Sequence, residues 1–263
     1  MRILFIGDVF GQAGRKAVES ILPKLRQREK IDFVIANAEN IAHGKGISPS
    51  TVKSLYESGV DVITTGNHAF DREESLALYQ QDKRILRPAN FSKKCPGSGL
   101  GIYEVYSGVT VGVINLIGRV HMAPANCPFE KVDEILMETK TSCDIVIVDM
   151  HAEASSESRA MGWYLDGRVG AVVGSHTHVP TADEEVLPKG TAYITDAGMT
   201  GPYRSIIGIE IEVALNRFLM GMRSPIQPAK EDIRMYSVLM DIEESNGRAR
   251  SIQRLCEKLN DSV

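Results

Sequence analysis

Five places in the chain set metal-capable side chains just past a short apolar run. Asp8 follows Ile3 to Ile6, Asn37-Ala38-Glu39-Asn40 follows Phe33 to Ala36, and Gly66-Asn67-His68 follows Val62 to Thr65. His151 follows Ile145 to Met150, and Gly174-Ser175-His176-Thr177-His178 follows Val172-Val173. Singly these signals are weak, because an Asp after a strand commonly caps a turn and a lone His is commonly a hydrogen-bonded core residue. His176-x-His178 is sharper, since residues two apart on an extended segment point the same way and can present two imidazoles together. Taken together, Asp8, Glu39, Asn40, Asn67, His151, His176 and His178 supply nitrogen and oxygen donors without sulfur. That set suits Mn, Fe or Zn, with Mg also admissible, and disfavours a thiolate-held structural zinc. Seven donors exceed one coordination shell, so two divalent ions are implied, with the two oxygens of Glu39 as the natural bridge.

Such residues must be held by a rigid frame. The apolar runs Ile3 to Ile6, Phe33 to Ala36, Val60 to Thr64, Val109 to Leu116, Ile145 to Val148, Ala171 to Val173 and Thr191 to Thr195 are short and β-branched, and read as buried strands. Helical signals fall between them. Ser48-Pro49 opens a segment closed by Gly59, Asp71 and Glu74 form a capping-box pattern before Ser75 to Gln80, and Phe129, Val132, Ile135 and Leu136 share a helical face. The alternation predicts an α/β layered fold, in which ligand groups gather past the carboxyl ends of strands. After about residue 185 the pattern predicts more strands, Ile207 to Ala214 and Met235 to Ile242, joined by the loop Gly221 to Lys230. No linker or repeat divides the chain, so residues 1–263 are taken as a single domain.

Composition narrows the function. With 30 Lys plus Arg against 34 Asp plus Glu, the net charge of −4 offers no general attraction to a long polyanion, so extended nucleic acid is a poor partner. Cys95, Cys127, Cys143 and Cys256 are scattered and read as reduced thiols, and the start of the chain is too briefly apolar for a secretory signal. No run is long enough to span a bilayer, and a cytoplasmic protein is expected.

The order of the motifs resembles that of calcineurin-like metallophosphoesterases, and more closely their bacterial YmdB-like branch. The resemblance rests on Gly7-Asp8-Val9-Phe10-Gly11, Asn37-Ala38-Glu39-Asn40, Gly44-Lys45-Gly46, Thr65-Gly66-Asn67-His68-Ala69-Phe70-Asp71 and the stretch from Gly174 to Asp183, and covers nearly the whole chain. It implies a four-layer αββα sandwich of two mixed β-sheets flanked by helices. It also implies one ion on Asp8, Glu39, Asn40 and His178 and a second on Glu39, Asn67, His151 and His176, with His68 off the metals. The branch hydrolyses 2′,3′-cyclic and 3′,5′-cyclic nucleoside monophosphates, usually with iron or manganese. Two departures from the wider superfamily stand out: Phe10 where a His is usual, with Asn40 filling its place by the resemblance, and Glu39 where a bridging Asp is usual.

A pair of divalent ions about 3.5–4 Å apart acidifies a bridging water and clamps phosphate oxygens for in-line attack. A ribose alkoxide leaves poorly, so a proton donor opposite the hydroxide contributes about 10²–10⁴-fold. His68 is the candidate donor; the alternative is that it only orients a carboxylate. The loop His43-Gly44-Lys45-Gly46 is either a phosphate contact or a solvated loop, and Trp163 and Tyr164 either stack on a base or pack. Arg119 and His121 are not placed by spacing. Three functions compete: a cyclic-nucleotide phosphodiesterase, a phosphomonoesterase or nucleotidase with the same ions, and a regulatory binding protein that keeps the metal pocket. The strands after residue 200 are expected to pair across subunits of a homo-oligomer.

Overall fold

The computed structural model describes residues 1–106, 108–139, 142–222 and 225–259. In chain order the elements are β1 (Arg2–Ile6), β2 (Asp8–Val9), α1 (Gly11–Glu29), β3 (Phe33–Asn37), α2 (Pro49–Glu57), β4 (Val62–Thr64), α3 (Ser75–Gln81), β5 (Leu100–Tyr106) and β6 (Val109–Ile117). They continue with α4 (Pro128–Thr139), β7 (Ile145–His151), α5 (Ser155–Leu165), β8 (Ala171–Ser175), β9 (Glu185–Val186), β10 (Ala192–Ile194), β11 (Met199–Pro202), α6 (Ile211–Met220), β12 (Ile233–Ile242) and β13 (Ala249–Lys258).

Two mixed sheets result. In the first, β1, β3 and β4 run parallel, β12 lies antiparallel to β1, and β13 covers the far side of β12; β11 and β2 extend one end. In the second, β6, β7, β8 and β10 are parallel, with β5 and β9 antiparallel at the two edges. Parallel strands buried on both faces need apolar side chains on both, and the three apolar clusters supply them. Ile3, Phe5 and Ile35 of the first sheet meet Val113, Ile147 and Val173 of the second between the sheets. Leu4, Val34 and Leu239 meet Val18 and Leu22 of α1 and Leu55 of α2 outside the first sheet. Ile114, Val148 and Val172 meet Val132 of α4 and Met161 of α5 outside the second. The order of layers is helix, sheet, sheet, helix, as the resemblance implied.

The seven predicted strands all form, and α2 begins at Ser48, whose hydroxyl accepts the Thr51 N–H at 3.4 Å while Thr51 Oγ1 accepts the Ser48 N–H at 3.0 Å. Two expectations are corrected. Most of Ile207 to Ala214 is not strand: from Ile211 the chain is α6, because Ile211, Ala214, Leu215 and Phe218 recur at helical spacing among good helix formers. Asp71 does not cap α3, whose first turn has no side-chain cap; its carboxylate is engaged elsewhere. Of the strands after residue 200, β12 is paired on both sides within the chain, whereas β13 pairs with β12 alone. The predicted loop Gly221 to Lys230 includes residues 223 and 224, which lie outside the described residues. Among the described residues no helix is long and apolar enough to cross a membrane.

Close approach of backbones fixes where β8 delivers its end. A Cβ on Gly174 would lie 1.7 Å from the Thr195 carbonyl oxygen, just past β10. Gly174→Ala is therefore expected to cost at least about 2 kcal/mol, read as a lowered urea midpoint with unchanged slope.

Candidate metal centre

The parallel strands of both sheets end at one rim. β1 and β2 deliver Asp8, the turn after β3 delivers Glu39 and Asn40, the turn after β4 delivers Asn67 and His68, β7 ends on His151, and the turn after β8 carries His176 and His178. Gly66 is required here, because a Cβ would sit 2.1 Å from the His151 ring. Both His176 (φ 112°) and His178 (φ 65°) occupy positive-φ backbone, a conformation that non-glycine residues hold only when their surroundings impose it.

The surroundings do so through a buried carboxylate. Asp196 Oδ2 accepts the Thr177 backbone N–H at 2.9 Å and its hydroxyl at 2.8 Å, and Oδ1 accepts the Gly198 N–H at 2.7 Å. The His176 N–H is taken by Asp8 Oδ2 at 3.0 Å, and His178 Nδ1 lies 3.0 Å from the Ile207 carbonyl. The turn is thus fixed at both histidines and between them.

All seven predicted donors converge. His151 Nε2 lies 3.2 Å from Glu39 Oε1, 3.0 Å from Asn67 Oδ1 and 3.0 Å from His176 Nδ1. The ligand atoms of Glu39, His151 and His176 fall within 4.8 Å of one another. On the other side of Glu39, the Asn40 amide bridges Glu39 Oε1 at 3.3 Å and His178 Nε2 at 3.2 Å, and His178 Nε2 is 3.9 Å from Asp8 Oδ1. Phe10, standing where a histidine was expected of the superfamily, packs its ring edge to face with His178 at 5.7 Å. His68 is set apart: its backbone N–H donates to Glu39 Oε2 at 3.1 Å, but its ring Nδ1 lies 2.7 Å from Asp71 Oδ2.

The electrostatics suit cations. Asp8 is fully buried, and its Oδ1 has no hydrogen-bond partner among the described residues. Burial is the main force holding its carboxyl well above the usual range; the charge of His151 opposes that, and the charge of Glu39 adds to it. Burial pushes Glu39 the same way, yet the charge and hydrogen bond of His151, with help from His68, outweigh it and bring the carboxyl down to about 2. His151 responds in reverse: burial opposes its charge, the neighbouring Glu39 carboxylate wins, and the imidazole rises to about 9. Burial, then repulsion from His151, lowers His176 to about 3. An orphaned buried carboxylate oxygen and crowded imidazole nitrogens without thiolates are the donor set that Fe, Mn or Zn would satisfy. His151 must shed its proton to ligate, so cation binding there competes with protons.

Several contributing residues escape a reading by motif. Asn37 Nδ2 donates to Asp149 Oδ2 at 3.1 Å and to Ser175 Oγ at 3.2 Å; Ser175 in turn donates to Asp149 Oδ1 at 2.6 Å and lies 2.9 Å from His151 Nδ1. This buried network fixes the ring of His151. An acid inside the apolar run Ile145 to Met150 was its one sequence signal. Glu153 reaches His176 Nε2 at 3.0 Å. Conversely, Trp163 and Tyr164 lie on α5, where Arg159 covers Trp163 and Tyr164 donates to Asp133, so both act in surface packing. The backbone N–H of Arg119 is held by Glu157, and no contact joins Arg119 or His121 to the cluster among the described residues. The cysteines form no disulfide.

Removing the support of the turn tests this architecture. Asp196→Ala is expected to lower affinity for Mn about 10–100-fold in a calorimetric titration, with the fold retained by circular dichroism. Unchanged affinity would mean that the histidines hold their backbone unaided.

Comparisons with known proteins agree with the geometry. The profile described as YmdB-like protein matches residues 4–255. The 2′,3′-cyclic-nucleotide 2′-phosphodiesterase of Bacillus subtilis (strain 168) is 45% identical over 255 residues, covering 97% of this chain and 96% of the relative. A crystal structure of a hypothetical protein from Thermus thermophilus superposes with a TM-score of 0.93 at 43% identity, over 98% of this chain and 99% of that one. That of a novel phosphatase from Mycoplasma pneumoniae also gives 0.93, at 34% identity, over 98% and 93%. The chain belongs to the YmdB-like family.

Proposed function

We propose that this chain, acting as one domain, is a metal-dependent phosphodiesterase that opens 2′,3′-cyclic nucleotides. The observation that carries the reading is the convergence of six nitrogen- and oxygen-bearing side chains on Glu39, with the imidazole of His68 paired to Asp71 beside them. The name of the Bacillus subtilis relative supplies the substrate class. The same diester chemistry extends to 3′,5′-cyclic monophosphates.

In this proposal Asp8, Asn40 and His178 hold one divalent ion, Asn67, His151 and His176 hold a second, and Glu39 serves both, with Fe or Mn as the metals. Such ions supply the positive charge that acidifies water and binds phosphate oxygens. The buried carboxylates and imidazoles are oriented in advance, so little rearrangement accompanies binding. His68 acts as proton donor. Asp71 at Nδ1 fixes the ring and leaves Nε2 to meet the leaving oxygen. Overall a water oxygen bonds to phosphorus, the bond from phosphorus to O2′ breaks, a proton arrives on O2′, and the product is a 3′-phosphomonoester.

His68→Ala is expected to keep its metal, measured by elemental analysis after dialysis, and to lose about 10²–10⁴-fold in turnover of adenosine 2′,3′-cyclic phosphate. Asp71→Asn loses less than His68→Ala. Asp8→Asn loses both metal and turnover. Full activity in His68→Ala would reassign the proton donor.

A second reading, monoester hydrolysis, is favoured by the word phosphatase in the description of the Mycoplasma pneumoniae structure. Rates on bis-para-nitrophenyl phosphate and para-nitrophenyl phosphate separate the two. The diester is expected to turn over faster; a faster monoester would retire the phosphodiesterase reading.

A further inference from the structure

Beside the metal cluster, on the side of His68, lies a cavity of about 880 Å³ that none of the seven donors lines. Its walls carry His43, Lys45, Asp71, Arg72, Arg217 and Met222. The cavity is joined to the centre by contact. Asp71 is the same carboxylate that holds His68 Nδ1, and Arg72 packs on Gly46, where an added Cβ would lie 2.8 Å from its Cγ and 3.5 Å from the His68 carbonyl oxygen. Gly44 sits against Phe10, whose ring also meets His178. Lys45 of the 43–46 loop and Arg72 therefore line a cavity that adjoins His68 through Asp71.

The charges there are arranged for an anion. Lys45 is exposed and forms no ion pair among the described residues. Arg72 lines the cavity; among the described residues its side chain makes one hydrogen bond, from Nε to Glu74 at 3.1 Å, and its terminal nitrogens make none. Asp71, the one carboxylate in the wall among the described residues, is occupied by His68. His43, Gly44 and Gly46 all hold positive φ, which opens the loop backbone toward a ligand. Such a patch accommodates one phosphate, whereas the net charge of −4 gives no track for a longer backbone.

Resting on the phosphodiesterase reading, we infer that this cavity binds a phosphate on the 5′ oxygen of the substrate nucleoside. The preferred substrates are then 2′,3′-cyclic phosphates that carry such a phosphate, either as a monoester or as the diester linking the last two nucleotides of an RNA fragment. The cyclic phosphate lies at the metal centre, and the ribose spans His68 to reach the cations. The bond that breaks is unchanged; the second phosphate adds binding alone.

The experiment measures kcat and KM on three substrates: adenosine 2′,3′-cyclic phosphate, the same nucleotide phosphorylated at O5′, and the dinucleotide UpA ending in a 2′,3′-cyclic phosphate. Wild type is expected to show about tenfold lower KM for one or both phosphorylated substrates with similar kcat, the scale of one or two charge-assisted contacts. Which substrate gains tells monoester from diester. Lys45→Ala and Arg72→Ala each shrink the KM ratio toward unity, whereas Lys53→Ala, on α2 outside the cavity, leaves it intact. Equal KM values in wild type, a preference that survives both cavity variants, or one lost equally in Lys53→Ala would overturn the assignment while leaving the phosphodiesterase reading standing. Absence of turnover on all three would overturn that reading, and this inference with it.

Discussion

Everything at the rim depends on burying two carboxylates, Asp8 and Glu39, among three imidazoles. Burial of a carboxylate without compensation is costly, so such a group either keeps a proton or finds a positive partner. The two acids resolve this differently. Glu39 takes His151 as its partner and remains ionised, while Asp8, with one oxygen unsatisfied, is driven toward its protonated form. A cation between them would relieve both at once. The same features that burden the fold are therefore those that would favour a bound cation.

That burden explains why the surrounding structure is so constrained. His176 and His178 are held in left-handed backbone by Asp196 beneath Thr177, and His151 is locked by Asn37, Asp149 and Ser175. Asn37, Asp149 and Ser175 sit in the last residues of β3, β7 and β8, and Asp196 two residues past β10, so they convert sheet rigidity into ligand direction. Gly66 and Gly174 serve the same purpose by subtraction, letting neighbouring backbone or imidazole come nearer than any Cβ would allow.

The sequence made the donors and layers legible for a common reason. Strand runs such as Phe33 to Ala36 and Ala171 to Val173 are apolar on both faces, and a polar residue directly after them is conspicuous. The supports were harder to see. Asp71 has the spacing of a helix cap, and its engagement by His68 is a tertiary choice between two local partners. Asp196 follows the short strand β10 like any turn residue, and only the folded position of Thr177 gives it a task. At α6, the sequence Ile207 to Ala214 satisfies alternation over its first half and helical spacing over its second. With Ala214 the single buried residue of that helix, burial contributes little to deciding between them, and helix propensity settles the outcome.

The surface charge divides along the same line. An acidic chain would repel its own anionic substrate at long range, and screening at physiological salt, with a Debye length of about 8 Å, confines that repulsion to the neighbourhood of each charge. Local groups then decide. Glu73 and Glu74 flank the 71–72 turn on its outer side, where Glu74 draws on Arg72. On the inner side Lys45, Arg72 and Arg217 face the cavity together with a carboxylate already bound to His68. The positive side chains of this wall are therefore gathered on the side of the turn where Asp71 meets His68.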